Sequence, residues 1–554
     1  MPPKKKRKVV DAKAAVTDKA AVSSTSVKAK KAAGKAAADL KTKGKKPTAK
    51  EAKEKIVEKT ILKKGKVPVD PECPFKESMH VYCSDGDIWD CMLNQTYMQN
   101  NNNKYYIIQL LESDLLDKYV VWTRWGRVGK DGQTADYQSG PRLEEAKWFF
   151  CTKFKDKTQN DWHTRKNFTK VSGKYSLLEM DYDATTAGAD TDAIDSAKAE
   201  PADVPDCKLD RRVQDLITLI ADVKAMEAAV VEMKYDAKKA PLGKLTKAQI
   251  KQGYSALKDI ETLIKAGKFG SELTEACNAF YTRIPHDFGM KPPERIVSLD
   301  TLKAKIDLLE ALGDIEIAVN VLKKGDQNIH PIDRMYLSLE CDLEPMDKSC
   351  DIYKLLESYL LNTHGSTHNH YSIKLLDIFH CGKDQPSGPD VGNKMLLWHG
   401  SRLTNWVRIL AKGLRIAPPE APVTGYVFGK GVYFADCASK SANYCFPTKT
   451  KNVGLLLLNE VTLGQQNELV SSNCHADKLP KGKHSVKGCG KMAPSLEEYQ
   501  STQRDGVTVP CGRLKETGIV NSSGYTLQYN EYIVYNTNQI KMKYLLKVKF
   551  NFRH

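Results

Sequence analysis

Met395-Leu396-Leu397-Trp398-His399-Gly400-Ser401 is an apolar run closed by a histidine, a glycine and a serine. Short apolar runs bounded by turn residues read as buried strands. Comparable runs surround it: Gly431-Val432-Tyr433-Phe434-Ala435-Asp436, Val453–Val461, Glu531-Tyr532-Ile533-Val534-Tyr535 and Tyr544–Phe552. Long loops bearing glycine and proline separate them. Residues 327–554 are therefore expected to form a mixed or antiparallel sheet with few helices.

Outward from this sheet the period changes. In residues 207–326, Val213, Leu216, Ile217, Ile220 and Val223 follow a 3.6-residue repeat. So do Ile250, Tyr254, Leu257 and Leu263–Ile264, after the capping-box pattern Thr246-x-x-Gln249, and Leu302, Ile306, Leu309 and Leu312. Pro241, Gly267, Pro285 and Pro292-Pro293 punctuate them, which predicts an all-α helical bundle. Residues 184–206 carry six acids, one lysine and no aromatic, the composition of an acidic linker. Residues 67–183 read as a small α+β domain. Strands are expected over Tyr105–Leu111 and Tyr119–Trp125, with a charged turn at Glu112–Lys118 and a helix over Leu143–Phe154. The fold class is thus multidomain α+β.

Charge marks off the remaining segment. The chain has 554 residues and a net charge of +17. Residues 1–66 hold 22 Lys/Arg against 6 Asp/Glu, and the rest holds 63 against 62. The folded body is nearly neutral, which excludes a uniformly basic protein. Residues 1–66 contain no aromatic residue and cannot bury enough apolar surface to offset their ordering entropy, so a disordered basic tail is expected. Within it, Lys4-Lys5-Lys6-Arg7-Lys8-Val9 is a basic run of nuclear-import type. No apolar run of about 18 residues suggests a membrane span, and the N-terminus lacks the apolar core of a secretory signal. Fourteen scattered cysteines without a C-x-x-C pair read as reduced thiols, with no zinc finger. Without a P-loop or a G-x-G-x-x-G turn, nucleotide chemistry needs another cradle.

The 67–183 domain is polarised: residues 118–174 carry a net +7 and residues 67–117 a net −7. A basic face bearing Trp122, Arg124, Trp125, Arg127 and Lys130 suits phosphates and a stacked base. Arg124-Trp125-Gly126-Arg127-Val128-Gly129, with Leu93-Asn94-Gln95-Thr96 and Asn102-Asn103-Lys104-Tyr105-Tyr106, resembles the WGR domain. That resemblance implies DNA binding at a strand break through Asn94, Lys104, Trp125, Gly126 and Arg127.

Singly, the motifs of the C-terminal sheet have structural explanations. A histidine at a strand end is often a packing residue, and strand tyrosines are usually core. Together, His399-Gly400-Ser401, the Tyr433 strand running into Ser439-Lys440-Ser441-Ala442-Asn443-Tyr444, and Asn530-Glu531-Tyr532 resemble the poly(ADP-ribose) polymerase branch of ADP-ribosyltransferases. Leu414–Tyr426, Lys481-Gly482-Lys483-His484-Ser485, Ala240–Leu245 and Phe280–His286 extend the resemblance over about residues 60–554. It implies an enzyme that uses NAD+ as co-substrate and needs no metal. His399, Tyr433 and Glu531 would form the catalytic triad, with Gly400, Ser401, Asn405, Arg415, Ser441 and Tyr444 in the NAD+ pocket and Lys440 beside acceptor or intermediate. Expulsion of neutral nicotinamide leaves an oxocarbenium-like transition state, which one carboxylate can stabilise. A glutamate at position 531 is expected to support chain elongation, since mono-ADP-ribosyltransferases often lack one there.

The bundle resembles that family's autoinhibitory regulatory domain, and Glu310 and Asp314, at i,i+4, would face the NAD+ site. The implied function is DNA-break-activated poly(ADP-ribosyl)ation in the DNA damage response. Implied partners are nicks or ends (5′-phosphorylated preferred), the enzyme itself through automodification, histones and chromatin repair proteins, with no membrane. Localisation would be nuclear. The alternatives are a DNA-end-binding scaffold and a mono-ADP-ribosyltransferase. One departure concerns the C-terminus: animal relatives usually continue a few apolar residues past the position of His554, where a serine-directing accessory factor docks, which puts that partner in doubt. His364, His368 and His370, in a polar loop, read as surface rather than as a metal cluster.

Overall fold

The computed structural model describes residues 67–180, 206–237, 245–322 and 329–553, apart from positions 85, 387, 389, 503–505, 523, 525 and 526. The basic tail, nearly all of the acidic linker and most of the Ala240–Leu245 motif lie outside the described residues.

The N-terminal domain is an antiparallel sheet crossed by one helix. Strands Asp90–Tyr97, Asn102–Ser113, Tyr119–Arg127 and Gln133–Gly140 pair in sequence, and Ser176–Leu177 closes the far edge. The helix Leu143–Thr158 buries Ala146, Phe150 and Phe154 against Trp89, Tyr106 and Trp162. Trp122 and Arg124 do not lie on the basic face that composition suggested. Trp122 packs in a core with Val81 and Leu111. Arg124 is buried in an ion pair with Asp70 at 2.6 Å. Strand alternation explains both, because residues 122 and 124 share one face and Trp125 and Arg127 the other.

The bundle comprises Arg211–Ile220, Val223–Glu232, Lys247–Lys265, Ser271–Arg283 and Leu299–Leu322. The repeat that ran from Val213 to Val223 breaks at Ala221. Asp222 caps a new helix there by accepting the N–H of Ala225 at 2.9 Å. Thr246 caps the third helix by accepting the Gln249 N–H at 3.1 Å. The Gln249 side chain does not complete the box; it donates to Arg283 O at 2.8 Å and ties the third helix to the end of the fourth. The fifth helix is buried on nearly every side, with Ile306, Leu309 and Ile315 fully covered.

A seven-stranded sheet forms the C-terminal domain's spine. Its order is Gln500–Ser501, Thr508–Val509, Lys394–Gly400, Val453–Thr462, Ile540–Phe552, Tyr371–Gly382 and Asp342–Pro345. A second sheet orders Val432–Phe434, Glu531–Val534, Ser485–Gly488 and Gln466–Leu469. Both contain one parallel pair among antiparallel ones. One continuous apolar cluster joins Leu309, Leu312 and Ile315 of the bundle to Trp406, Val407 and Leu410 of this domain. Among the described residues no helix is long and apolar enough to cross a membrane, and all fourteen cysteines are free.

Candidate active site

An isolated bridge joins the seven-stranded sheet to the four-stranded one. Trp398 N–H donates to Ala435 O at 2.8 Å, and Ala435 N–H donates to Trp398 O at 3.0 Å. Tyr433 pairs in turn with Ile533. Three motifs distant in sequence are thereby held in one register, around a cavity of about 300 Å³ lined by His399, Gly400, Tyr433, Ser441, Tyr444 and Glu531.

His399 places Nδ1 3.0 Å from the Tyr433 carbonyl. A carbonyl only accepts, so Nδ1 carries the proton and Nε2 is left as an acceptor. Burial holds its pKa below the usual imidazole range. At Gly400 a Cβ would sit 1.9 Å from Ser441 O, so any side chain would force apart the strand and the short helix Ala438–Ala442. Ser441 Oγ donates to Trp398 O at 3.1 Å. The Tyr433 hydroxyl donates to Gly429 O at 2.7 Å and accepts from Phe428 N–H at 2.9 Å, which fixes the ring as a wall. Tyr444 stands half exposed at the cavity edge.

Glu531 opens its strand with its carboxylate buried. One oxygen lies 3.1 Å from Lys440 Nζ, which also donates to Tyr529 O at 2.7 Å. The other, Oε2, is buried with no hydrogen-bond partner among the described residues. An orphaned acceptor in a cavity wall fits a ligand hydroxyl, as the ribose of NAD+ offers. Sequence reading gave no role to Asp436 or Asn530. Asp436, fully buried, accepts from Asn530 Nδ2 at 2.8 Å and from the Tyr532 hydroxyl at 3.0 Å, so it grips both neighbours of Glu531. An acid closing an apolar strand was the available signal.

The opposite wall belongs to the bundle: Lys303, Asp307, Glu310 and Asp314 line the same cavity. Asp314 pairs with Arg415 at 2.6 Å, and the Tyr426 hydroxyl donates to Glu310. Burial pushes the Asp314 carboxyl up to about 6, against the opposing pull of Arg415 and Arg408. Asn405 donates to Ser401 Oγ at 2.9 Å on the neighbouring edge.

The N-terminal domain's nominated residues divide. Lys104 is exposed, and Trp125 is half-buried, stacked on Tyr106 with centroids 5.5 Å apart. Asn94 corrects the reading of it as a DNA contact. It is fully buried, and its Nδ2 donates to Tyr281 O and Thr282 O at 3.1 and 2.9 Å, because its strand edge is covered by the helical bundle. Arg127 also reaches the bundle, donating to Gly289 O and Lys291 O and to Asn101 O at 2.8 Å. Beside it, Gly129 N–H donates to Asp236 at 2.8 Å.

In the histidine loop His370 is exposed, and His364 and His368 are half-buried. His368 shares a 2.7 Å hydrogen bond with Ser439 Oγ, and burial lowers its pKa to about 4. Among the described residues one mixed cluster has metal-ligand character, Cys207, His330 and Asp333. Its Cys207–Asp333 separation of 2.8 Å is a thiol–carboxylate hydrogen bond, since two such ligands on tetrahedral zinc lie about 3.6 Å apart.

Three family descriptions match the chain in series: "WGR domain" over residues 89–169, "Poly(ADP-ribose) polymerase, regulatory domain" over 207–336, and "Poly(ADP-ribose) polymerase catalytic domain" over 350–550. The chain is 55% identical over 499 residues to poly(ADP-ribose) polymerase 2 of Homo sapiens, covering 89% of this chain and 85% of that relative. It is 45% identical over 514 residues to poly(ADP-ribose) polymerase 2 of Zea mays (90% of this chain, 76% of the relative). It is 44% identical over 497 residues to poly(ADP-ribose) polymerase 1 of Gallus gallus, where it spans 48% of the relative. Since the likeness runs through all three folded parts and not the sheet alone, the chain belongs to the poly(ADP-ribose) polymerase family and is an NAD+ ADP-ribosyltransferase.

Proposed function

We propose that DNA breaks switch this enzyme on, and that it then builds poly(ADP-ribose) on itself and on chromatin proteins in the nucleus. The observation that supports the reading best is the 2.6 Å Asp314–Arg415 ion pair, in which the bundle occupies a group on the pocket wall. NAD+ supplies the ADP-ribosyl group and releases nicotinamide. Glu531 Oε2 would accept a ribose hydroxyl, and its negative charge would stabilise the positive charge that develops at the reacting carbon. Gly400 backbone groups and Ser441 would hold the carboxamide, with Tyr444 and Tyr433 enclosing the ring. His399 Nε2 would accept from the adenosine-side ribose, flanked by Ser401 and Asn405. Lys440, 3.1 Å from Glu531, would hold that carboxylate in place.

For DNA, Lys104, Trp125, Gly126 and Arg127 form the proposed strand-end contact. Arg127 sits at the joint, one guanidinium between the proposed DNA face and the segment that leads into Leu299–Leu322. Arg127→Ala should cut the rate gained on adding nicked DNA severalfold and leave the DNA-free rate unchanged; NAD+ turnover with and without DNA checks this. Consumption of NAD+ with and without 5′-phosphorylated nicked DNA tests the reading as a whole, and product length on a gel separates polymer from single units. A rate indifferent to DNA contradicts it.

Asp314 makes the closed state pH-dependent. Its carboxyl titrates near 6 when buried and near 3.8 in water. Between those values the closed bundle binds a proton that the open one does not. Acidification therefore favours closure; this added stability is complete below about pH 3.8 and is lost as pH rises through about 6. DNA-free activity should fall from pH 7.5 to 5.5 more steeply than in Asp314→Asn, as nicotinamide release would report.

A further inference from the structure

The pocket has a second attachment to the bundle, away from the Glu310–Asp314 face. Arg415, Ala417, Pro418, Gly425, Tyr426 and Val427 line the cavity from one loop. The middle of that loop is held by Glu261, on the helix Lys247–Lys265. The Glu261 carboxylate is buried, and it accepts the N–H of Thr424 at 2.7 Å, the N–H of Val423 at 3.2 Å and the Thr424 hydroxyl. Lys265 Nζ lies 2.8 Å away and balances the charge. On the same helix Lys251 pairs with Glu420 at 2.6 Å. These hydrogen bonds outweigh burial and keep the Glu261 carboxyl below its usual range. Three hydrogen bonds to one buried carboxylate are charge-assisted and stronger than neutral ones, and they tie the half-buried Val423 and Thr424 to this helix.

We propose that Glu261 is a positioning residue that latches the pocket-wall loop at Val423 and Thr424 to the helical bundle, so that access of NAD+ is governed from a second helix besides the occluding one. This rests on the proposed autoinhibition and names a further contact through which it acts. Opening of Lys247–Lys265 would release the loop even where Leu299–Leu322 held its place.

Glu261→Gln tests this in the full chain, because it replaces one acceptor oxygen with a donor facing donors. Glu261→Asp keeps the charge and should restore most of the wild-type behaviour. The readouts are kcat and KM for NAD+ without DNA and with saturating nicked DNA, and hydrogen exchange over residues 420–428. Glu261→Gln should raise DNA-free kcat/KM about tenfold, mostly through KM, as expected for loss of a charged hydrogen bond. Exchange of Val423 and Thr424 should quicken while Leu299–Leu322 keeps its protection, and kcat with DNA should be unchanged. Unaltered loop exchange and DNA-free kcat/KM, in an enzyme that still responds to DNA, would overturn the latch alone. Equal loss of protection in Leu299–Leu322 would also overturn it, because Glu261 would then only stabilise the bundle. If wild type ignored DNA, the autoinhibition reading would fail and the latch with it.

Discussion

Glu531→Gln is expected to abolish polymer and to slow the first transfer by about 10²–10³-fold, the usual loss when one well-placed electrostatic contact is removed. Gln preserves the volume of the site and can still accept one hydrogen bond. It cannot present the negative charge that Glu531 holds beside Lys440 at 3.1 Å. The unpartnered Oε2 makes the case specific. A buried acceptor without a donor destabilises the empty site, and a ligand hydroxyl removes that cost when it arrives. In elongation the acceptor is itself a ribose hydroxyl, so on the proposed reading the same carboxylate would be needed a second time. Gel analysis of products and nicotinamide release would measure the two losses separately. Polymer of wild-type length from this variant would remove Glu531 from the role given to it.

The catalytic strands were legible because their apolar runs are short, dense and bounded by turn residues. Lys394–Gly400, Val432–Phe434 and Glu531–Val534 fall within two residues of their expected places. The helix Asp351–Asn362 and the strand Tyr371–Gly382 were not read, although Tyr353, Leu356, Tyr359 and Leu360 carry helical spacing. Two misplaced polar residues have distant partners. Arg124 was placed on the surface by composition and Asn94 at the DNA by its position in the WGR motif. Their partners, Asp70 and the Tyr281–Thr282 carbonyls, are 54 and about 188 residues away in the chain. No local pattern announces such pairings. Asp436 belongs to the same class, since its grip on Asn530 and Tyr532 exists only once two strands have paired.

Removing residues 207–326 and rejoining the flanks should give full activity without DNA. Autoinhibition is a population of closed molecules, and shifting it from 1:99 to 99:1 takes about 5.5 kcal/mol of differential binding. On the proposed reading, DNA would supply that energy in the intact protein. Without the bundle, Arg415 has no Asp314 to hold it and the cavity has no second wall. The deletion also uncovers Trp406, Val407 and Leu410, which share the bundle's core, so a milder change is the better control. Leu309 is fully buried. Leu309→Ala should destabilise the bundle by about 2–5 kcal/mol, raising the DNA-free rate and leaving the DNA-saturated rate nearly unchanged. A truncated protein that folds and binds NAD+, yet still needs DNA, would make the bundle a passive spacer.

The proposed activation comes down to one physical event, the opening of Leu299–Leu322 when the N-terminal domain meets broken DNA. Amide hydrogen exchange on the full-length enzyme measures it directly, with and without a 5′-phosphorylated nicked duplex. Protection over residues 299–322 should fall by orders of magnitude on adding the duplex, while the strands Lys394–Gly400 and Glu531–Val534 stay protected. Unchanged or increased protection in that helix, in a preparation whose NAD+ turnover rises with the same DNA, would contradict the account.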